Sequence, residues 1–311
     1  MSHLNQPLIG ASYALGSALV GSITAAATKY VASQVPITSI IFIQYLVGSL
    51  ILLPWLIQHR RSALRTQCLK LHILRAVSGW LSFWCFYMAL SHIPLVDAML
   101  LRNAAPLCIP LVLLIWLNIQ IPKARWLPLV LGFIGITLIL RPGINTLSIW
   151  HIVGFGSAIS LAWSMISTRE LAASEPSKRI VWYYFTLSLL FSLPMTYMDW
   201  QPIPLRLWPW LIGIGIGIYG LMRLYTNAYR YAKASIVAPV SYSNVIFSGL
   251  LGWLIWSHTP DLISILGALL VIGGGILTLG LNKAPDYKPP QIPKKTAQSS
   301  VVTNNDLSTP S

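Results

Sequence analysis

The sequence predicts an all-α polytopic membrane protein, and three observations lead to that prediction. Ten apolar stretches, each long enough to cross a bilayer, run through residues 8–281 with few charges among them. A hydrocarbon core about 30 Å thick requires roughly 20 helical residues, because no water is present there to satisfy the backbone. The chain is also 55% hydrophobic and only 9% charged, whereas soluble domains carry about 25% charged residues.

The predicted helices follow one another with brief connections, so we expect no soluble domain outside the membrane. The apolar stretches are too long and too uniformly apolar to be strands of a β-barrel. The fifth stretch is the shortest of them. The predicted spans are 8–31, 36–57, 73–91, 95–118, 126–140, 149–168, 180–199, 207–229, 236–256 and 262–281.

The formal net charge of +14 follows the predicted topology. The loops after even-numbered helices and the C-terminal tail together hold 15 Lys and Arg residues, whereas the five odd loops contain only Arg141 and Arg206. The positive-inside rule therefore predicts that both termini are cytoplasmic. Because the charge is explained in this way, we expect no nucleic-acid partner. Residues 282–311 are rich in Pro, Lys, Ser, Thr and Asn, which predicts a disordered cytoplasmic tail.

The second half of the chain resembles the first after a shift of about 139 positions, which aligns Phe86 with Tyr225. Five helices are followed by five more with a similar pattern of lengths. An odd number of helices in each half forces the two halves into opposite orientations. Inverted repeats of this kind are typical of secondary transporters. We predict one repeat over residues 1–143 and a second over residues 144–281.

Several motifs are shared with a known family. The third and fourth predicted helices contain Arg75–Gly79, Phe86–Leu90 and Ile93–Ala98, and the first half ends in Gly132–Gly143. These motifs resemble the drug/metabolite transporter superfamily and, within it, the EamA-type branch, over about residues 8–281. The resemblance implies a ten-helix fold and transport of small polar metabolites, including amino acids, nucleotide sugars and adenosyl compounds. Many bacterial members of the family are exporters.

The sequence departs from the family pattern at two helix ends. The family often has an acidic residue just after the fourth and ninth helices, where this chain has Asn118-Ile119-Gln120 and Ser257-His258. An ion-coupling or gating role for those acids is therefore not carried over to this chain. Facilitated diffusion, exchange and proton antiport all stay open.

Arg102 is the strongest candidate for a substrate-binding residue. It lies about seven residues inside the fourth helix, roughly 10 Å deep, and Asn103 follows it. A charged side chain at the bilayer centre costs at least about 2.5–3.5 kcal/mol and therefore indicates function by default. Pro106 and Pro110 follow at i+4 and i+8 and can bend the helix or release carbonyls. We predict that Arg102 faces a central cavity and binds a carboxylate or phosphate; pairing with Asp97 or snorkelling is the alternative.

The eighth predicted helix carries a polar stripe that consists of Tyr219, Arg223, Asn227 and Arg230. A helix face that contacts lipid would not carry such a row, so the stripe should face protein or water. Arg223 is either a residue of an inner vestibule or an anchor. Near the helix ends, Arg75 and Lys29 are better explained by snorkelling or by capping of a neighbouring helix.

Aromatic and amide side chains complete the predicted site. Trp84 and Trp163 lie in the middle of their helices, where a ring can stack on a flat or cationic group, and ordinary packing is the alternative. Tyr242 lies close to Asn244 in the ninth helix, and an amide at that depth needs hydrogen-bond partners. Glycines of the tenth helix predict close packing against a neighbouring helix or a second subunit: Gly267, Gly273, Gly274 and Gly275.

These observations favour a secondary transporter with alternating access, in which the substrate lies between the third, fourth, eighth and ninth helices and the first and sixth close it. Basic residues in the spans outnumber the comparably placed acid, Asp97. The imbalance favours an anionic or zwitterionic substrate, such as an amino acid or a related carboxylate-bearing compound, exported across the bacterial inner membrane. The alternative is uptake or exchange of a nucleotide-like or adenosyl compound such as S-adenosylmethionine.

A membrane enzyme is the remote alternative. No second histidine or cysteine follows His92, His151 or His258 at i+3 or i+4, as a zinc site built on one helix from these residues would require. The acids are scattered, so no catalytic residue, metal or cofactor is predicted. The partners we expect are a small-molecule substrate, the lipid bilayer and, from the glycines of the tenth helix, a second copy of the chain in a homodimer.

Overall fold

The chain folds into a bundle of helices. The computed structural model describes residues 5–117, 126–140, 148–172, 174–232, 237, 240–257 and 261–280, and these residues contain no β-strand. A single 3₁₀ turn, Leu205–Leu207, precedes one of the α-helices. The α-helices with described bounds are α1 (Asn5–Ala32), α2 (Ile37–Leu64), α3 (Leu69–His92), α4 (Leu95–Asn103), α5 (Ala105–Leu117), α6 (Trp126–Leu140), α7 (Ile149–Ala172), α8 (Ser177–Met198), α9 (Trp208–Tyr231), α10 (Ser243–Trp256) and α11 (Leu262–Gly280).

Six helices of the described part, α1, α2, α3, α7, α8 and α9, are long and apolar enough to cross a membrane. Shorter apolar helices lie within α10 and α11. Several helices extend past the predicted spans, because helical hydrogen bonding continues into the interface, where water satisfies the terminal backbone groups. Proline, whose ring holds φ near the helical value and which lacks an N–H, immediately precedes three helix starts. These residues are Pro36, Pro94 and Pro176.

The predicted fourth span is a broken helix. Helix α4 ends at Asn103, and α5 begins after Ala104, whose ψ of −5° differs from the usual α-helical value of about −42° although the residue stays in the right-handed region. Pro106 therefore lies in the first turn of α5, where its missing N–H breaks no helical hydrogen bond. The predicted ninth span has a similar interruption at Tyr242, with a ψ of −15°, directly before α10. Asn103 and Asn244 lie next to these two breaks.

Contacts between helix ends define two faces of the bundle. At the amino-terminal face, where α1 begins, Tyr13 stacks on Tyr231 with ring centroids 5.7 Å apart. At the opposite face, Arg206 donates a 2.7 Å hydrogen bond to Gln34. Because α1, α3 and α10 end at the opposite face and α2 and α9 end at the amino-terminal face, neighbouring helices alternate in direction.

The packing divides most of the helices into two groups. In the first group α1 packs along α9 and α10, and in the second α7 packs along α3, α4 and α5. Helix α2 also packs on α9, as α8 packs on α3. The contacts of α2 with α8, α4 with α10 and α6 with α11 join the groups. Exchanging α1–α6 with α7–α11 reproduces this pattern, as a two-fold axis would require.

Residues at equivalent positions of the two halves meet at this axis. The hydroxyls of Tyr45 and Tyr184 lie 3.0 Å apart, and these tyrosines are 139 positions apart in the chain. Thr38 hydrogen-bonds to Asp199 at the opposite face, and Tyr183 donates to a carbonyl at the end of α2 at the amino-terminal face. Helices α2 and α8 are thus tied at both ends and in the middle.

Candidate functional site

Arg102 reaches across from α4 to the middle of α3. Its Nη1 donates a 2.9 Å hydrogen bond to Ser82 Oγ and a 3.1 Å bond to the Ser82 carbonyl. The guanidinium also lies over Phe83 and Phe86, with its carbon 4.4 Å and 4.8 Å from the ring centroids. Cation–π contacts of this kind partly replace the water that the cation loses on burial. Two phenyl rings and one serine therefore hold the cation at mid-height in the bundle.

Arg102 retains unused hydrogen-bond donors. Among the described residues only Ser82 accepts a hydrogen bond from it, and no carboxylate is in ion-pair contact with it. A guanidinium has five N–H donors in a planar fork that fits a carboxylate or phosphate. Nε and Nη2 are thus available to an anionic group. Asp97, the alternative partner in the sequence interpretation, instead interacts electrostatically with Lys29.

Asn103 and Asn244 form a reciprocal amide pair where the two broken spans meet. Asn103 Nδ2 donates to Asn244 Oδ1 at 2.7 Å, and Asn244 Nδ2 donates back at 3.3 Å. Asn103 Nδ2 also donates to the Met99 carbonyl, and Ser22 donates to the Asn244 carbonyl. The amides satisfy each other at a depth where water is scarce, so they connect the two halves next to Arg102.

We expect Asn103→Ala and Asn244→Ala to be energetically coupled. A double-mutant cycle should give a coupling free energy of about 1 kcal/mol, within the range for polar pairs inside membranes. Unfolding of the purified protein by increasing SDS in detergent micelles measures it. The control combines Asn103→Ala with Asn227→Ala on α9, which does not pack on α4 among the described helices; it should be additive within about 0.5 kcal/mol. Zero coupling between Asn103 and Asn244 would contradict the pair.

The remaining aromatic candidates lie in different surroundings. Tyr242 is 5% exposed at the start of α10, beside the amide pair. Trp84 on α3 and Trp163 on α7 are half-buried and pack against the main hydrophobic cluster. Such contacts are those of ordinary packing side chains. Because each indole ring is only half-buried, part of its surface is still free to stack on a flat group.

The polar stripe on α9 is separate from Arg102, because α9 packs on α1 and α2 whereas α4 packs on α7 and α10. Arg223 is exposed and donates a 3.1 Å hydrogen bond to Tyr219 Oη. Asn227 is half-buried one turn further on. Gly220, directly after Tyr219, faces open space, since a Cβ there would meet nothing within 4 Å. The side chain of Arg230 lies outside the described residues. This face is a second polar surface, nearer the amino-terminal face of the bundle.

Two other cations inside the spans are used in tertiary contacts. Arg75, 7% exposed, hydrogen-bonds to Thr168 and lies over the Tyr184 ring at 4.8 Å. Lys29 donates to carbonyls at the end of α3. Both positions agree with a capping or anchoring role. Within the described part of the chain, no three His, Cys, Asp or Glu side chains are grouped as metal ligands.

Sequence reasoning missed Ser82, Phe83 and Phe86, which hold Arg102. Serine and phenylalanine are common in membrane helices, so neither type stands out in a sequence. The available signal was positional, because Ser82 and Phe86 are spaced i and i+4 and so share one face of α3. That face could be assigned to Arg102 only once the packing of α3 against α4 was known.

An all-helical bundle with several apolar spans and buried cations defines a multi-pass membrane protein. Comparison with known families gives the same result, because the profile of the EamA-like transporter family matches twice, over residues 8–141 and 148–280. The chain belongs to the EamA-like transporter family. The resemblance found from the sequence motifs is therefore confirmed, and the chain contains two family repeats.

Similar proteins of known function are transporters. The chain is 31% identical to the pseudopaline exporter of Pseudomonas aeruginosa over 254 residues, covering 81% of this chain and 89% of that protein. It is 28% identical to the riboflavin transporter of Vibrio cholerae, covering 88% and 93%. It is 24% identical to the S-adenosylmethionine uptake transporter of Rickettsia prowazekii, covering 85% and 90%. The prediction of a metabolite transporter is confirmed at the level of this class.

A solved crystal structure shares the fold. It superposes with a TM-score of 0.59 at 18% identity and covers 89% of this chain and 97% of that chain. At this identity the likeness concerns the arrangement of helices alone.

Proposed function

We propose that this protein is a secondary transporter that exports a small carboxylate-bearing metabolite, such as an amino acid or a related compound, across the bacterial inner membrane. Arg102 is the observation that carries the proposal. A half-buried cation at mid-height, with no carboxylate in ion-pair contact among the described residues and with donors to spare, suits a substrate that brings its own negative charge. Membership of a transporter family and the relatedness to the pseudopaline exporter support transport and, more weakly, export.

Alternating access in this proposal depends on two inverted repeats, residues 1–143 and 144–281, with ten membrane spans in all. The two-fold pattern of helix packing supports it, because the main contacts recur when the halves are exchanged: α1 with α9 as α7 with α3, and α2 with α9 as α8 with α3. The positive-inside rule supports cytoplasmic termini, since Arg65, Lys70 and Arg179 flank helix ends at the amino-terminal face. Among the described residues of the opposite face, Arg206 is a basic residue outside the spans. The predicted tail, residues 282–311, lies outside the described residues.

The proposed binding site has a central part and an inner part. In the central part Arg102 binds the carboxylate, while Asn103, Asn244 and Tyr242 hydrogen-bond to polar groups of the substrate. Trp84 and Trp163 line the approach and stack against flat substrates. The inner part is the α9 face, which faces the cytoplasmic vestibule and consists of Tyr219, Arg223 and Asn227.

A second candidate function is uptake or exchange of a nucleotide-like or adenosyl compound. The relatedness to S-adenosylmethionine uptake transporters favours it, at 24% identity over most of the chain. S-Adenosylmethionine also carries an amino acid carboxylate, so Arg102 would bind the same group in either case. The adenine ring would then stack on Trp84 or Trp163.

Counterflow in proteoliposomes tests the proposal. Vesicles with the purified protein are loaded with amino acids, nucleotides, riboflavin, pseudopaline and S-adenosylmethionine, and uptake of each labelled compound from outside is followed. We expect accumulation of a carboxylate-bearing compound above that in protein-free vesicles. Exchange of riboflavin alone would contradict the proposal that the substrate bears a carboxylate. Exchange of none of these compounds would reject the proposed substrate class. Export is tested in cells, where overproduction should raise the extracellular level of the same compound.

The homodimer stays a prediction. Helix α11 packs along α6 within one chain, which agrees with the neighbouring-helix interpretation of its glycines. Its other side exposes apolar residues that lipid or a second copy would cover: Leu262, Leu266, Leu269, Ile276 and Leu277.

A further inference from the structure

Lys29 connects α1 to the end of α3 at the opposite face. Its Nζ donates a 2.8 Å hydrogen bond to the Leu90 carbonyl and a 2.6 Å bond to the Ile93 carbonyl. The last carbonyls of a helix have no partner within the helix, and a cation there is favoured by the helix dipole. The half-buried ammonium thus satisfies groups that membrane burial would otherwise leave unpaired.

Two further elements surround the same ammonium. It lies 5.9 Å from the ring centroid of Trp256 at the end of α10, and it interacts electrostatically with Asp97 in the first turn of α4. Helices α1 and α10 belong to the first packing group, whereas α3 and α4 belong to the second. Lys29 therefore ties the two groups together at the opposite face.

The two faces of the bundle differ at this contact. Near Lys29, α1 packs against α3 and α4. If the two halves are exchanged, the pair equivalent to α1 and α3 is α7 and α9. In the described residues α7 and α9 do not pack on each other to a comparable extent. Arg223 and Gly220 on α9 are correspondingly open. Contacts between α2 and α8 join the groups at both faces. The contact of α1 with α3 and α4 is added only at the opposite face in the described residues, so the groups are held together more extensively there.

We propose that the contacts of Lys29 hold the bundle closed at the opposite face, and we call Lys29 the latch of this gate. The gate is the outer one if the termini are cytoplasmic. Opening this face requires the ammonium to release the two carbonyls at the end of α3, so that α1 and α10 can move away from α3 and α4. The inference deepens the proposed function, because it assigns the residue that regulates access to the transport site. It makes Lys29 a positioning residue that need not touch the substrate.

Distances between spin labels test the latch without substrate or transport. One label pair, at Ser33 and Ile149, spans the two groups at the opposite face, and a second, at Leu8 and Lys70, spans them at the amino-terminal face. All four side chains are exposed. Each position is changed to Cys in a full-length chain whose native cysteines, Cys68, Cys85 and Cys108, are Ala.

We expect Lys29→Met to lengthen the pair at the opposite face by on the order of 5 Å and to shorten the pair at the amino-terminal face. Lys29→Arg can still cap both carbonyls and should keep the original distances. A cation that only stabilised α3 would not move the second label pair. An unchanged distance at the opposite face in folded Lys29→Met would overturn the latch.

A folding failure is resolved by a second variant. If Lys29→Met aggregates on size-exclusion chromatography, Lys29→Gln is measured, because its amide can donate to one carbonyl. Aggregation of both variants would reduce Lys29 to a structural cap and reject the latch. If counterflow detects no substrate while the distances move as expected, the latch stands and the proposed substrate class fails.

Discussion

Arg102→Ala is expected to abolish counterflow of the carboxylate-bearing substrate while leaving the protein folded. Truncating one partner of a buried charged hydrogen-bonded pair costs about 2–5 kcal/mol. Because each 1.4 kcal/mol is a factor of ten, the apparent affinity should fall by about 30-fold to 4,000-fold. Initial rates of counterflow at several external concentrations measure this change.

The same series separates charge from geometry. Arg102→Lys keeps the positive charge but loses the planar fork, so we expect transport to be weakened but retained. Arg206→Ala removes an arginine at the opposite face that bonds to Gln34 and should transport normally. Size-exclusion profiles of all variants exclude misfolding. Unchanged kinetics in folded Arg102→Ala would remove Arg102 from the binding site and leave the α9 face as the next candidate.

Gly135→Leu is expected to separate α6 from α11 and to destabilise the fold. A Cβ at Gly135 would lie 2.7 Å from the Gly267 carbonyl oxygen and 2.8 Å from the Val271 amide nitrogen. These are backbone atoms of a helix, so they cannot move aside as a side chain does. Overpacking of a well-packed core typically costs about 1–3 kcal/mol, occasionally more, and we expect the upper part of that range. Thermal unfolding in detergent, followed by circular dichroism, measures the loss.

The matched control lies on the partner helix. A Cβ at Gly273 of α11 would meet nothing within 4 Å, so Gly273→Leu should unfold close to the temperature of the unsubstituted protein. Both changes gain similar helix propensity, and the comparison therefore isolates the close approach. Equal stability of the two variants would show that α6 and α11 are not in contact as described.

Part of the internal repeat was predicted from the sequence, and more of it could have been found there. The shift of about 139 positions came from residues of the third and eighth spans, yet it also relates Tyr45 to Tyr184. Pro54 and Pro194, inside α2 and α8, are related by nearly the same offset. A tyrosine or a proline in an apolar helix is unremarkable by itself. Only their pairing at one offset carries the information.

The candidate site was likewise only partly predicted from the sequence. The sequence predicted Arg102, Asn103 and Asn244 as polar residues at membrane depth, and the structure brings these three into one region. It does not bring Arg223 there, since α9 lies on α1 and α2. Hydropathy gives the depth of a residue along a helix. It does not give the rotation of that helix about its own axis, which depends on the neighbouring helices.

Long apolar runs and local family motifs were enough to predict a helical membrane protein of a transporter family, because such runs can cross a bilayer only as helices. The partners of the buried cations became known only from the packing of the helices. Arg102 bonds to Ser82, and Lys29 caps the end of α3, although each cation and its partner are far apart in the chain. A charge buried in a membrane must find a compensating group, and helix packing determines which one is within reach.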